Sequence, residues 1–94
     1  MEIKPNKLND IRRKIENIAK KAAYWTFRQE SVKFFGDTEA FRRNIECEEG
    51  RLAGVIQTVA ILLGRGIAGQ LDDYYDKCFM EQIQKLRDES KETA

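Results

Sequence analysis

The residues best equipped for chemistry in this 94-residue chain are two pairs of carboxylates and two thiols. Glu46-x-x-Glu49 and Asp73-x-x-Asp76 each set two acids three residues apart, a spacing that puts both on one face of a helix. Hard oxygen ligands arranged this way on neighbouring helices can hold a divalent cation. Cys47 sits among Glu46, Glu48 and Glu49, whose negative charge disfavours the reactive thiolate. Cys78 lies between Tyr74, Tyr75 and Phe79 on an apolar stretch. Both thiols therefore read as reduced and structural. The chain has no histidine, so the commonest general base and the commonest metal ligand are missing. Two thiols alone do not complete a tetrahedral zinc site.

Gly64-Arg65-Gly66-Ile67-Ala68-Gly69 carries the glycine spacing of a dinucleotide-binding turn. That turn needs a preceding strand in a sheet, and the residues from Gly69 to Ala94 read as one helix. A lone strand makes no sheet, so the segment is expected to be a flexible helix–helix turn that stays partly helical or a continuous helix. The paired acids, for their part, loosely resemble the magnesium-binding pattern of MazG-type all-α nucleotide pyrophosphatases. The likeness covers four residues and implies a Mg-dependent hydrolase with those carboxylates as ligands. The sequence departs from that pattern at both ends: no doubled glutamate opens the first pair, and the second is Asp-x-x-Asp in place of Glu-x-x-Asp. Charges spaced i,i+4, such as Asp73/Lys77 and Glu81/Lys85, give the plainer reading of a solvated helix face.

The basic residues are more regular. Lys7, Lys14, Lys21 and Arg28 recur every seventh residue, beside the apolar seam, where interhelical ion pairs select partner and orientation. Residues 1–33 hold nine Lys+Arg against four Asp+Glu, a net +5, and residues 34–94 hold eight against twelve, a net −4. The first segment is thus expected to pair with the acidic remainder, in its own chain or in a second copy. The alternative is a nucleic-acid face built from Arg12, Arg13, Lys14, Lys20, Lys21 and Arg28. Aromatic residues gather at Tyr24, Trp25, Phe27, Phe34, Phe35 and Phe41. Trp25 and Phe41 are assigned to the core. Phe27 and Phe34, on another side, are the candidates for contact with a partner protein, since aromatic anchors dominate binding hot spots.

Three helices must position these groups. Leu8, Ile11, Ile15, Ile18, Ala22, Trp25, Gln29 and Val32 alternate by three and four, which predicts a first helix over about 6–35. Gly36 and Asp37, or Thr38, supply a stop and a new cap. Thr38, Phe41, Ile45, Glu48, Leu52, Val55, Val59 and Leu62 repeat the seam over about 38–63. Ile56, Ala60, Ile61 and Leu63 widen its apolar surface, so this helix is expected to lie centrally. Within it, Gly50 and Gly54 share a face and are read as a tight helix crossing. Ile67, Leu71, Tyr74 or Tyr75, Cys78, Phe79, Gln82 or Ile83, and Leu86 line one face of a third helix over about 67–88, with a frayed tail at 89–94.

The expected fold is all-α: one domain over residues 1–94, an antiparallel hairpin or three-helix bundle with coiled-coil-like heptad packing. The longest apolar stretch, Val55–Leu63, is too short to span a bilayer, so no membrane contact is expected. Met1–Pro5 carries no apolar run of the secretory kind, which points to the cytoplasm. A charged fraction of 35% with a net charge of +1 gives no overall field to hold nucleic acid. The function expected is non-enzymatic: a small self-associating helical regulator or inhibitor that binds a partner protein or itself as a homo-oligomer. No catalytic residue, metal or cofactor is assigned. Phe27, Phe34, Lys7, Lys14, Lys21 and Arg28 are its partner-binding candidates.

Overall fold

The computed structural model describes residues 5–31 and 39–93, all helical apart from Gly64. α1 spans Pro5–Ser31, α2 Glu39–Leu63 and α3 Arg65–Thr93. They pack into an all-α three-helix bundle, with no strand among the described residues. The chain runs up, down and up. Trp25 near the end of α1 meets Phe41 near the start of α2, with ring centroids 5.8 Å apart. Glu30 near the end of α1 receives two hydrogen bonds from Arg87 near the end of α3, from Nε at 3.3 Å and from Nη2 at 2.6 Å. The first contact makes α1 and α2 antiparallel; the second makes α1 and α3 parallel.

The three-helix core sits at the end of the bundle nearest Gly64. Ile15 of α1 is fully buried against Val59 of α2 and Ala68 and Leu71 of α3. Ile11, Leu52, Val55, Ile56, Ile67 and Tyr74 close around them. Further along, Ile18, Ala19, Ala22 and Ala23 bury a second stretch of α1, and Ile83 does so for α3. The described heptad positions of α1, from Leu8 to Gln29, do turn inward, as their spacing demands. Ala19 and Ala23, outside that seam, are buried as well, because α1 is held between two neighbours.

Four features differ from the sequence expectation. The central helix is α1, not α2: among the described residues, five of the nine buried hydrophobic residues are on α1 and only Val59 is on α2. Gly50 and Gly54 form no tight crossing, since a Cβ built at either would meet nothing within 4 Å. The glycine-rich segment is not a turn of several residues. Only Gly64 leaves the helix, at φ 95°, a left-handed geometry that glycine adopts without steric cost. Its N–H still donates to Ala60 O at 3.1 Å, and its carbonyl accepts from Ala68 N at 3.3 Å. One residue thus ends α2 and starts α3, and Gly66 and Gly69 lie inside α3. Finally, α3 starts at Arg65 instead of 67 and runs through the expected frayed tail to Thr93. Lys91 in its last turn complements the helix dipole. The expected extension of α1 to residue 35 and the caps at Gly36, Asp37 and Thr38 lie outside the described residues.

Candidate functional site

The molecule is long and thin, 51 × 27 × 17 Å, with a radius of gyration of 15.3 Å. A compact domain of 94 residues would have a radius of about 12.4 Å. Three rods side by side leave long seams, and the seams are where a ligand or partner can be held. One such seam runs between the first half of α1 and the second half of α2. It is an open groove of about 1090 Å³ whose floor is Ile11, Val55, Val59, Leu62 and Leu63. Lys7, Asp10 and Lys14 form one rim; Arg51, Gly54 and Thr58 form the other. Along α2, residues 51 to 63 span about 18 Å at 1.5 Å per residue.

The groove exists because α2 is apolar on more than one side while only one side is covered. Leu62 is 58% exposed and Ile61, just outside the lip, is 82% exposed. Thr58, between Gly54 and Leu62, turns its hydroxyl back to Gly54 O at 2.8 Å, which presents its methyl group outward. The groove is thus apolar at its base and cationic along its edge.

The basic candidates lie where the heptad places them. Lys7, Lys14, Lys21 and Arg28 are all exposed on one side of α1, spread over about 31 Å of helix. α1 does pack against the acidic α2 and α3, but none of these four forms an ion pair with a described residue. Instead Lys20 pairs with Glu16 at 3.0 Å and Arg87 with Glu30, contacts the seven-residue spacing did not single out. Phe27 is half-buried and makes an interaction within the chain, so it is less open than a partner anchor was expected to be. Phe34 lies outside the described residues. Trp25 and Phe41, expected in the core, are half-buried and pack on each other away from the buried core, with Tyr24 edge-on to Trp25 at 5.0 Å.

The four acids of the paired motifs are exposed. Glu46 pairs with Arg42 at 3.5 Å. Asp73 lines a smaller recess between α1 and α3 with Arg12, Arg13 and Lys77. Among the described residues no three carboxylates or thiols come close enough to hold a metal ion. The buried acid is one the motif reading passed over. Glu48 is 6% exposed; its Oε1 accepts from Arg51 Nη1 at 3.1 Å and its Oε2 has no hydrogen-bond partner. Its seam position was visible in the spacing, but its carboxylate was not read as buried.

Tyr74 and Tyr75 hold their phenolic protons more tightly than usual. For Tyr74 the main cause is a hydrogen bond to the Cys78 side chain, followed by burial. For Tyr75 it is burial, followed by the charges of Glu49, Asp76, Glu48 and Asp72. Cys47 is exposed and Cys78 half-buried, both as free thiols. Among the described residues no helix is long and apolar enough to cross a membrane. Compared with known proteins, the chain matches no protein family, no curated sequence and no solved structure.

Proposed function

We propose that this chain is a non-enzymatic protein-interaction module, a small regulator or inhibitor that works by occupying another protein surface through the groove between α1 and α2. The observation that carries the reading is the exposure of Ile61 and Leu62 at 82% and 58%, beside an apolar floor that stays open. Exposed apolar surface of this kind, rimmed by charge, is the usual mark of a docking site. The cationic edge formed by Lys7, Lys14 and Arg51 favours an occupant that is apolar along one side with neutral or acidic flanks. The setting expected for such a module is the cytoplasm.

The test is a hydrolase assay paired with an affinity capture. Purified protein should leave nucleoside triphosphates intact with Mg²⁺, and Leu62→Lys should abolish capture of whatever protein the wild type retains. Mg²⁺-dependent hydrolysis lost in Glu49→Ala or Asp76→Ala would overturn the reading.

A second reading has one observation in its favour: the unpaired stripe of Lys7, Lys14, Lys21 and Arg28 suits a phosphate backbone. It predicts binding to nucleic acid that weakens steeply with salt and is lost on charge reversal at Lys14 or Lys21.

A further inference from the structure

The groove between α1 and α2 restricts what can lie in it. Its floor is made of apolar side chains, and the helices on either side use their backbone N–H and C=O groups internally. An extended segment laid there would find no partner for its own backbone, which costs free energy wherever water is excluded. An α-helix satisfies its backbone by itself and meets an apolar floor with one stripe of side chains. A small molecule would stay exposed along the open side, whereas ligand sites enclose most of what they bind. About 12 residues of helix match the stretch of α2 from Arg51 to Leu63.

The two rims differ. On α1, Lys7 and Lys14 are exposed, about 10 Å apart along the helix, and neither forms an ion pair with a described residue. With Asp10 between them and Arg51 opposite, three cations and one anion leave the rim at a net +2. Arg51 is partly neutralised by Glu48 at 3.1 Å, so the two lysines hold most of the free charge. A second copy of the chain would set these cations against the same cations, whereas an anionic flank would complement them. On α2, Gly54 and Thr58 present little side chain. A Cβ built at Gly54 meets nothing within 4 Å, and Thr58 folds its hydroxyl back onto Gly54 O. A helix can therefore come close to α2 while its other flank meets the lysines.

We propose that the occupant is an acidic amphipathic helix of another protein, seated in this groove as a fourth helix of the bundle. Its apolar stripe covers Leu62 and the groove floor. Carboxylates seven residues apart on its α1 side pair with Lys7 and Lys14, which have the same spacing. This inference rests on the docking reading above and adds the chemical class of the partner.

Three fluorescent peptides of about 14 residues test it, each held helical by a hydrocarbon staple on the outer face. They share one leucine stripe and one neutral outer face. They differ only at two flank positions seven apart, which hold glutamate, glutamine or lysine. By fluorescence anisotropy at low ionic strength, the glutamate peptide should bind at least about tenfold more tightly than the lysine peptide. The gap should close as salt is added. Lys7→Glu combined with Lys14→Glu should reverse the order, and Leu62→Lys should weaken all three peptides by about tenfold or more. These positions are exposed, so circular dichroism should show unchanged helicity. Met80→Lys, at an equally open site on α3, should leave binding unchanged. Equal affinity for the three peptides, lost in Leu62→Lys, overturns the acidic partner and leaves the docking reading standing. Binding of none of them overturns the helical partner, and the capture experiment with Leu62→Lys then decides the docking reading separately. A dimer by light scattering that Leu62→Lys dissociates would put a second copy in the groove and overturn the inference. Phosphatidylserine vesicles that sediment the wild type but not Leu62→Lys would overturn it in favour of a membrane.

Discussion

Two isoleucines give a controlled comparison of buried and open positions. Ile15 is fully buried where α1, α2 and α3 meet, and Ile61 is 82% exposed. Truncating a buried isoleucine to alanine removes its transfer energy and leaves a cavity, at a total cost of about 2–5 kcal/mol. Ile15 touches both other helices, and its neighbours Ala68 and Leu71 are themselves pinned, so collapse is restricted and about 3.5 kcal/mol is expected. A domain of this length has a total stability of about 5–14 kcal/mol, and the thin shape puts this one toward the lower end. Ile15→Ala should therefore lose around half of it and lower Tm by about 14–28 °C, at about 4–8 °C per kcal/mol. Ile61→Ala should change stability by no more than about 0.5 kcal/mol in solutions dilute enough to hold single chains. Thermal and urea unfolding followed by circular dichroism gives both numbers. A loss under about 1 kcal/mol for Ile15→Ala, far below the range for a buried isoleucine, would refute this account of the core. So would an equal loss for the two variants in dilute solution.

Other perturbations follow the same logic. Glu48→Met keeps the side-chain volume, removes an oxygen with no partner and leaves only the exposed Arg51 unpaired; it should raise stability by about 1 kcal/mol, and a lower urea midpoint would count against it. Gly54→Ala should stabilise by up to about 1 kcal/mol, since the position is helical and open. Gly64→Ala should instead destabilise by about 1–2 kcal/mol, because φ 95° is strained for any Cβ; the two glycine variants moving in the same direction would contradict the geometry. Tyr74 and Tyr75 bind their protons more tightly in the folded chain than the ordinary value of 10.0 allows. The folded state therefore holds more protons than the unfolded one above that pH, and stability should fall as pH rises beyond about 10. Tyr75→Phe should flatten that fall, and an unchanged slope would refute the assignment.

Much of the architecture could be read in the order of residues, because a helix sandwiched in a core repeats its apolar positions. Ile11, Ile15, Ile18 and Ala22 mark the inward side of α1, and Leu71 and Ile83 that of α3. The alanines at 19, 23 and 68 were invisible to that reading, since alanine is common on both faces of a helix and gives no periodic contrast. The position of α2 was misread for a different reason. Apolar residues on several sides were equated with burial on several sides, whereas burial depends on where the other helices run. The same error reversed the reading of Gly50 and Gly54: two glycines on one face permit a close crossing but do not require one. Of the candidate site, the basic rim came from the heptad position of Lys7 and Lys14. The groove itself is a property of helix spacing and could not be read from either helix alone.

The junction at Gly64 carries a consequence for how the chain partitions between forms. α2 and α3 are one helix interrupted at a single φ angle. Rotating that angle into the helical range would fuse residues 39–93 into an unbroken rod of about 82 Å. In that rod α3 could no longer reach its own α1 and would have to lie against the α1 of another copy, which is domain swapping through a one-residue hinge. The ease with which glycine takes a positive φ is thus what lets α3 stay at home. Any residue with a side chain at position 64 pays a steric cost at that angle, and tilts the chain toward exchanging its third helix with a neighbour.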